Sequence, residues 1–222
     1  MIFLPRKLWP AQLLAVVTLV ALPLCSPAEA AYIDPTGDFL SSYTGPQNGD
    51  LDVVNFDAQF DGTTFTFSST SNGAIGTTPG GIFVWGVDRG AHTAGFGAFR
   101  PGVLFDAVVI ANPNGPSRAV VNGVTTVLPS SALKVLGNMI SISLPASLLP
   151  STGVSVFDYM VNLWPRSGAG GNTVISDFAP DNSDIAVSFV PEPAAWMILL
   201  MGLLGLGAVY GMRQKPHALL NA

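Results

Sequence analysis

The chain has 222 residues, of which 49% are hydrophobic and only 10% charged, against about 25% charged in an ordinary soluble domain. Residues 31–190 contain twelve Asp, no Glu and five basic residues (Arg89, Arg100, Arg118, Lys134, Arg166), a formal charge of −7. Phosphate backbones would repel such a segment, so nucleic acid is excluded as the expected partner. Cations, neutral glycans or basic proteins fit its charge better.

Residues 1–30 read as a secretory signal. Arg6 and Lys7 form the positive start, Leu13 to Leu22 is an apolar run, Pro23 breaks the helix, and Ala28-Glu29-Ala30 has the small-x-small form of a cleavage site. The expected cut falls between Ala30 and Ala31. Ten to twelve apolar residues are too few to span about 30 Å of hydrocarbon, which argues against an uncleaved anchor. Cys25, the only cysteine, lies in this removed segment, and Leu24 before it is too large for a lipoprotein signal. The remaining chain has no disulfide, thiolate nucleophile or cysteine metal ligand.

From residue 31 to 189 the pattern is that of strands. Val54, Phe56, Ala58 and Phe60 alternate with polar residues, Asp61-Gly62 signals a hairpin, and Phe65 and Phe67 share one face of the next strand. Apolar runs follow at 81–87 and 103–110. Asn122-Gly123 signals a second hairpin, joining 118–121 to 124–128. Further strands are expected at 139–144, 154–164 and 184–190, with short helices only at 130–136 and 146–149. About nine strands with frequent turn chemistry predict an all-β domain, a single antiparallel β-sandwich. The opening Asp34-Pro-Thr-Gly-Asp38, with Asp50 and Asp52 close behind, loosely resembles the start of several secreted β-sandwich modules, some of them carbohydrate-binding.

The residues of this domain bear on four chemistries. His92 is its only histidine, and no G-x-S-x-G elbow exists, so nucleophilic catalysis has little to build on. Ordinary zinc sites are excluded by the lack of a second His, a Cys or any Glu. Asp supports turns through short side-chain bonds, which alone accounts for much of the acidic bias. Calcium through oxygen ligands is the one metal the composition allows, with Asp34, Asp38, Asp50 and Asp52 as the expected group; no other cofactor is expected. Two loops carry aromatic and polar residues suited to sugar binding: Trp85, Asp88, Arg89 and His92 in one, Trp164 and Arg166 in the other. The alternative is that both tryptophans are core residues of their strands.

From Ala194 to Met212 there are nineteen consecutive uncharged residues, roughly 28 Å of helix and enough for one membrane crossing. Trp196 and Tyr210 lie near its ends, and Arg213 and Lys215 follow as a positive-inside stop. This places 31–190 outside and leaves 216–222 as a short cytoplasmic tail. Pro191-Glu192-Pro193, then the apolar helix, then basic residues, resembles the PEP-CTERM sorting signal of Gram-negative bacteria over residues 190–215. Where that family's tail usually ends in a tight arginine cluster, this one reads Arg213-Gln-Lys215-Pro-His217.

The resemblance implies a sorting enzyme of exosortase type as partner. It implies an inner-membrane precursor, removal of the helix, and a mature form at the cell surface or in an exopolysaccharide or biofilm matrix. The expected function is therefore a non-catalytic cell-envelope or matrix protein that binds glycan or other envelope components. A self-associating structural protein is the second expectation, and an extracellular polysaccharide hydrolase acting through Asp pairs the third.

Overall fold

Residues 31–190 and 201–205 are described by the structure, a computed structural model. The signal segment with Ala28 and Ala30, the motif Pro191-Glu192-Pro193, the stop residues Arg213 and Lys215 and most of 194–212 lie outside them. Residues 201–205 are helical. Among the described residues no helix is long and apolar enough to cross a membrane.

The period-two segments pair into two six-stranded sheets. In chain order the strands are β1 (Tyr32–Ile33), β2 (Val53–Phe60), β3 (Thr64–Ser71), β4 (Ile82–Asp88), β5 (Ala107–Ala111) and β6 (Arg118–Val121). They continue with β7 (Val124–Val127), β8 (Leu133–Leu136), β9 (Met139–Pro145), β10 (Met160–Arg166), β11 (Ile185–Ala186) and β12 (Ser188–Phe189). The first sheet runs β1-β2-β3-β9-β8, with β12 also on β2; the second runs β11-β10-β4-β5-β6-β7. All pairs are antiparallel except β12 on β2. Over residues 31–190 the fold is all-β, as expected, with helix reduced there to short 3-10 turns.

Both signalled hairpins form. At Asp61-Gly62 the Asp61 Oδ1 accepts from the Thr63 and Thr64 backbone N–H groups at 2.8 and 2.7 Å, while Gly62 takes φ +105°. At Asn122-Gly123 both residues have positive φ, 51° and 77°, the twist that suits a two-residue hairpin. A third, Gly137-Asn138, joins β8 to β9 where a helix was expected over 130–136. Only Ser130–Ala132 is helical there, a 3-10 turn. The strand expected at 154–164 begins instead at Met160, because Ser155 caps a 3-10 turn over Val156–Asp158. In β2 a bulge between Val53 and Asn55 turns Val53 inward together with Phe56, so Val54 is not the core residue that simple alternation predicts.

The two sheets face each other across a core of Val53, Phe56, Phe65, Phe67 and Ile142 from the first and Trp85, Val87, Val109 and Val161 from the second. A second apolar cluster forms behind the second sheet. There Val84, Ile110 and Trp164 are covered by Leu40, Tyr43, Val103, Ile175 and Phe178 from the loops. Strands β4 and β10 are thus buried on both faces, which is why β4 reads as a continuous apolar run rather than as alternation.

Candidate functional site

The long loops that cover the second sheet also bring distant carboxylates together. Asp34 N–H donates to Val54 O at 3.1 Å, fixing the first turn of the domain against β2. Gly37 takes φ +82°, a conformation that glycine adopts without steric cost, and its N–H donates to both Asp52 oxygens at 3.0 Å. Leu40 N–H then donates to Ser176 O at 2.9 Å, laying this loop against the segment that carries Asp177. The β2 bulge matters here: Val53 N–H donates to Asp177 Oδ2 at 3.0 Å, and Phe178 N–H donates to Asp177 Oδ1 at 2.7 Å.

The result is a cluster in which one carboxylate oxygen each of Asp34, Asp38 and Asp177 lies within 4.8 Å of the other two. Asp34 is 6% exposed and Asp177 1%. Asp34 Oδ2 and Asp38 Oδ1 are buried without a hydrogen-bond partner. Burial, followed by the charges of Asp177, Asp38 and Asp181, pushes the Asp34 carboxyl far above its ordinary range. Burial likewise raises Asp177, against the opposing effect of the Val53 N–H bond, and raises Asp38. Desolvation and mutual repulsion both disfavour the charged form of a carboxyl, so the cluster has two ways to lower its energy: take up protons, or take up a cation.

Of the four aspartates expected to form an oxygen-ligand group, the structure brings together Asp34 and Asp38. Asp52 stands behind them, engaged with Gly37 N–H and with Asn72 Nδ2 at 3.0 Å. Asp50 does not belong to the cluster. It is fully buried and accepts from Thr78 N–H at 2.7 Å and Thr78 Oγ1 at 2.6 Å, a turn-bracing role that occupies its carboxylate. Asp177, which completes the cluster, was not in the expected group. It is supplied by the far end of the domain, and no local spacing could have linked it to Asp34.

The expected sugar-binding surface is not assembled. Trp85 is 0% and Trp164 3% exposed. Trp85 packs on Phe67 and Phe83 between the sheets, and Trp164 on Phe96, Phe105 and Phe178 behind the second. Neither ring offers a face to a ligand, because β4 and β10 are central strands covered on both sides. Asp88 and Arg89 are also buried. Arg89 donates through Nε to Asp106 at 2.5 Å, through one terminal nitrogen to Pro150 O at 2.7 Å, and through the other to Asn122 Oδ1 at 3.0 Å. Arg166 donates to Gly168 O and Gly170 O, shaping its own glycine loop.

His92 alone of the six has a well-exposed side chain. Its Nδ1 lies 2.6 Å from Asp88 Oδ2, and its φ of +53° is held by a backbone N–H bond to Asp88 Oδ1 at 2.9 Å. Burial alone would raise the Asp88 carboxyl, but the N–H groups of His92 and Gly90 together with the His92 side chain draw it below the usual carboxylate range.

The chain matches no protein-family model, no curated protein and no solved structure.

Proposed function

We propose that the chain is an exported cell-envelope protein whose β-sandwich is cut from both flanking segments and acts outside the inner membrane without catalysing a reaction. The observation that carries this reading is the sequence order: a small-x-small site at Ala28-Glu29-Ala30, the strand-rich segment 31–190, then Pro191-Glu192-Pro193 ahead of nineteen uncharged residues. Among the described residues pairing begins at Tyr32, two residues after the expected signal cleavage at Ala30. Among the described residues the pairing reaches Val190, whose N–H donates to Phe60 O at 3.0 Å. Both expected processing signals thus flank the segment whose described residues form the two sheets. Proline on either side of Glu192 favours extended backbone, a form that a membrane enzyme can grip.

The test is intact mass and fractionation from the native host, with and without its exosortase-type enzyme. A species starting at Ala31, ending near Pro193 and found outside the membrane is the expected result. A full-length tail kept in the inner membrane in both strains would overturn it.

A self-associating matrix role is favoured over glycan stacking by what the sheet edges present. Strand β7, the free edge of the second sheet, exposes Val124 and Val127 at 65% and 66%. Strand β8, the edge of the first, exposes Val135 and Leu136, with Met139 exposed on its neighbour. Apolar edge strands invite pairing with another chain. Sedimentation of the processed domain should show concentration-dependent assembly that Val127→Lys together with Leu136→Lys abolishes. A monomer at all concentrations would return polysaccharide as the expected partner.

A further inference from the structure

We propose that Asp34, Asp38 and Asp177 form a binding site for one divalent cation of calcium's size. Three oxygens no more than 4.8 Å apart always share a point within about 2.8 Å of each. That is close to the 2.3–2.6 Å at which calcium takes oxygen ligands, and the set need contract only slightly; magnesium, at 2.0–2.1 Å, would require far more. The second observation is Asp34 itself. It is 94% buried, its carboxylate belongs to the cluster, and its Oδ2 has no hydrogen-bond donor. Buried polar groups are almost always satisfied, so an orphaned carboxylate oxygen beside two other carboxylates points to a cation as its partner.

Among the described residues no basic side chain supplies that charge. The three ion pairs among the described residues join Arg89 to Asp106, His92 to Asp88, and Arg100 to Asp181 at 3.8 Å. None engages Asp34, Asp38 or Asp177.

The surroundings hold the ligands in place before a cation arrives. Asp177 is fixed by Val53 N–H and Phe178 N–H, one to each oxygen, which leaves further lone pairs on both. The turn carrying Asp34 and Asp38 is pinned at Asp34 N–H by Val54 and at Gly37 N–H by Asp52. Asp52 is a positioning residue here, and its charge adds to the negative field at Asp38 and Asp177. A bound cation would join the first turn of the domain to the loop before its last strands, closing nearly the whole fold. Such a site suits a domain that must stay folded outside the cell without disulfides.

The full-length chain, stripped with a chelator in non-ionic detergent, is titrated with calcium by calorimetry and thermal unfolding. One equivalent should bind saturably and raise Tm, with magnesium at the same concentration giving a smaller shift. Asp38→Asn, a change at a half-buried carboxylate whose Oδ1 has no hydrogen-bond partner among the described residues, should weaken calcium binding by at least roughly tenfold, as loss of a metal-site group does. Asp158→Asn, at an exposed acid far from the cluster in the fold, should bind as the unaltered chain does. If Asp38→Asn does not fold, Asp34→Asn is read in its place. Absence of saturable heat and of any Tm shift, as expected if the carboxyls only share protons, would overturn the proposal. So would a folded Asp38→Asn or Asp34→Asn that titrates like the parent.

Discussion

Arg89 gives the sharpest test of how this domain holds together, because a 1%-exposed guanidinium joins four segments. Its bonds reach Asp106 before β5, Asn122 in the β6–β7 turn and Pro150 ahead of β10, while Thr152 Oγ1 donates to its backbone carbonyl at 2.5 Å. Replacing Asp106 by Asn keeps the shape and an acceptor for the Arg89 and Ala91 N–H groups, but leaves the buried charge without a counterion.

Removing one partner of a buried pair costs about 3–5 kcal/mol. At roughly 2–4 °C per kcal/mol for a domain of this size, that is a fall in Tm on the order of 10 °C. Arg89→Met combined with Asp106→Asn removes both charges and should cost clearly less than the two single changes added together. Urea unfolding of residues 31–190, followed by the fluorescence of the buried Trp85 and Trp164, measures all four proteins of the cycle. A loss under about 1 kcal/mol for Asp106→Asn, or additivity within about 0.5 kcal/mol, would refute the reasoning and show that water reaches the guanidinium.

Three other changes probe separate parts of the fold. Gly86→Ala places a Cβ 2.3 Å from the Trp164 ring, which Phe96, Phe105 and Phe178 prevent from moving; a loss of about 1–3 kcal/mol in the same unfolding assay is expected. Gly123→Ala at φ +77° meets no neighbouring atom, so only the left-handed backbone resists it, and about 1–2 kcal/mol should be lost with the core fluorescence unchanged.

Asp184 supplies a pH test. Burial pushes its carboxyl up to about 6, against the Leu104 N–H bond that lowers it. The folded state therefore holds this proton more tightly than the unfolded chain, whose value is near 3.9. Ionising Asp184 costs stability progressively as pH rises from about 4 to about 6, and fully above that. Asp184→Asn should gain in Tm relative to the parent between pH 4.5 and pH 7.5; a difference that stays constant over that range would show the group is not strained.

Much of the architecture was legible in single segments, since it rests on short-range physics. Alternation placed Phe56, Ala58, Phe60, Phe65 and Phe67 on an inward face, and the burial of all five follows from the pleat alone. Asp61-Gly62 and Asn122-Gly123 marked their hairpins because the required backbone conformations belong to those residue types. Misreadings arose where local signal and pairing diverged. Leu133–Leu136 has no strand signature of its own and becomes one by pairing with β9, and the bulge in β2 interchanges the roles of Val53 and Val54.

The candidate site was legible only in part. That Asp residues near Asp34 and Asp38 would gather could be read from their turn, but which carboxylates share a space depends on a loop from the far end of the domain. An aromatic beside Asp and Arg likewise looks the same in sequence whether its ring faces solvent or a second layer. The facing sheet decided this for Trp85, and the loops behind the second sheet decided it for Trp164. By itself the sequence determined the strands, the turns and the acidic charge, because these depend on neighbours along the chain. The third layer, the burial of Arg89 and the meeting of Asp34 with Asp177 were decided by the tertiary structure, because each requires contact between segments whose separation no local pattern encodes.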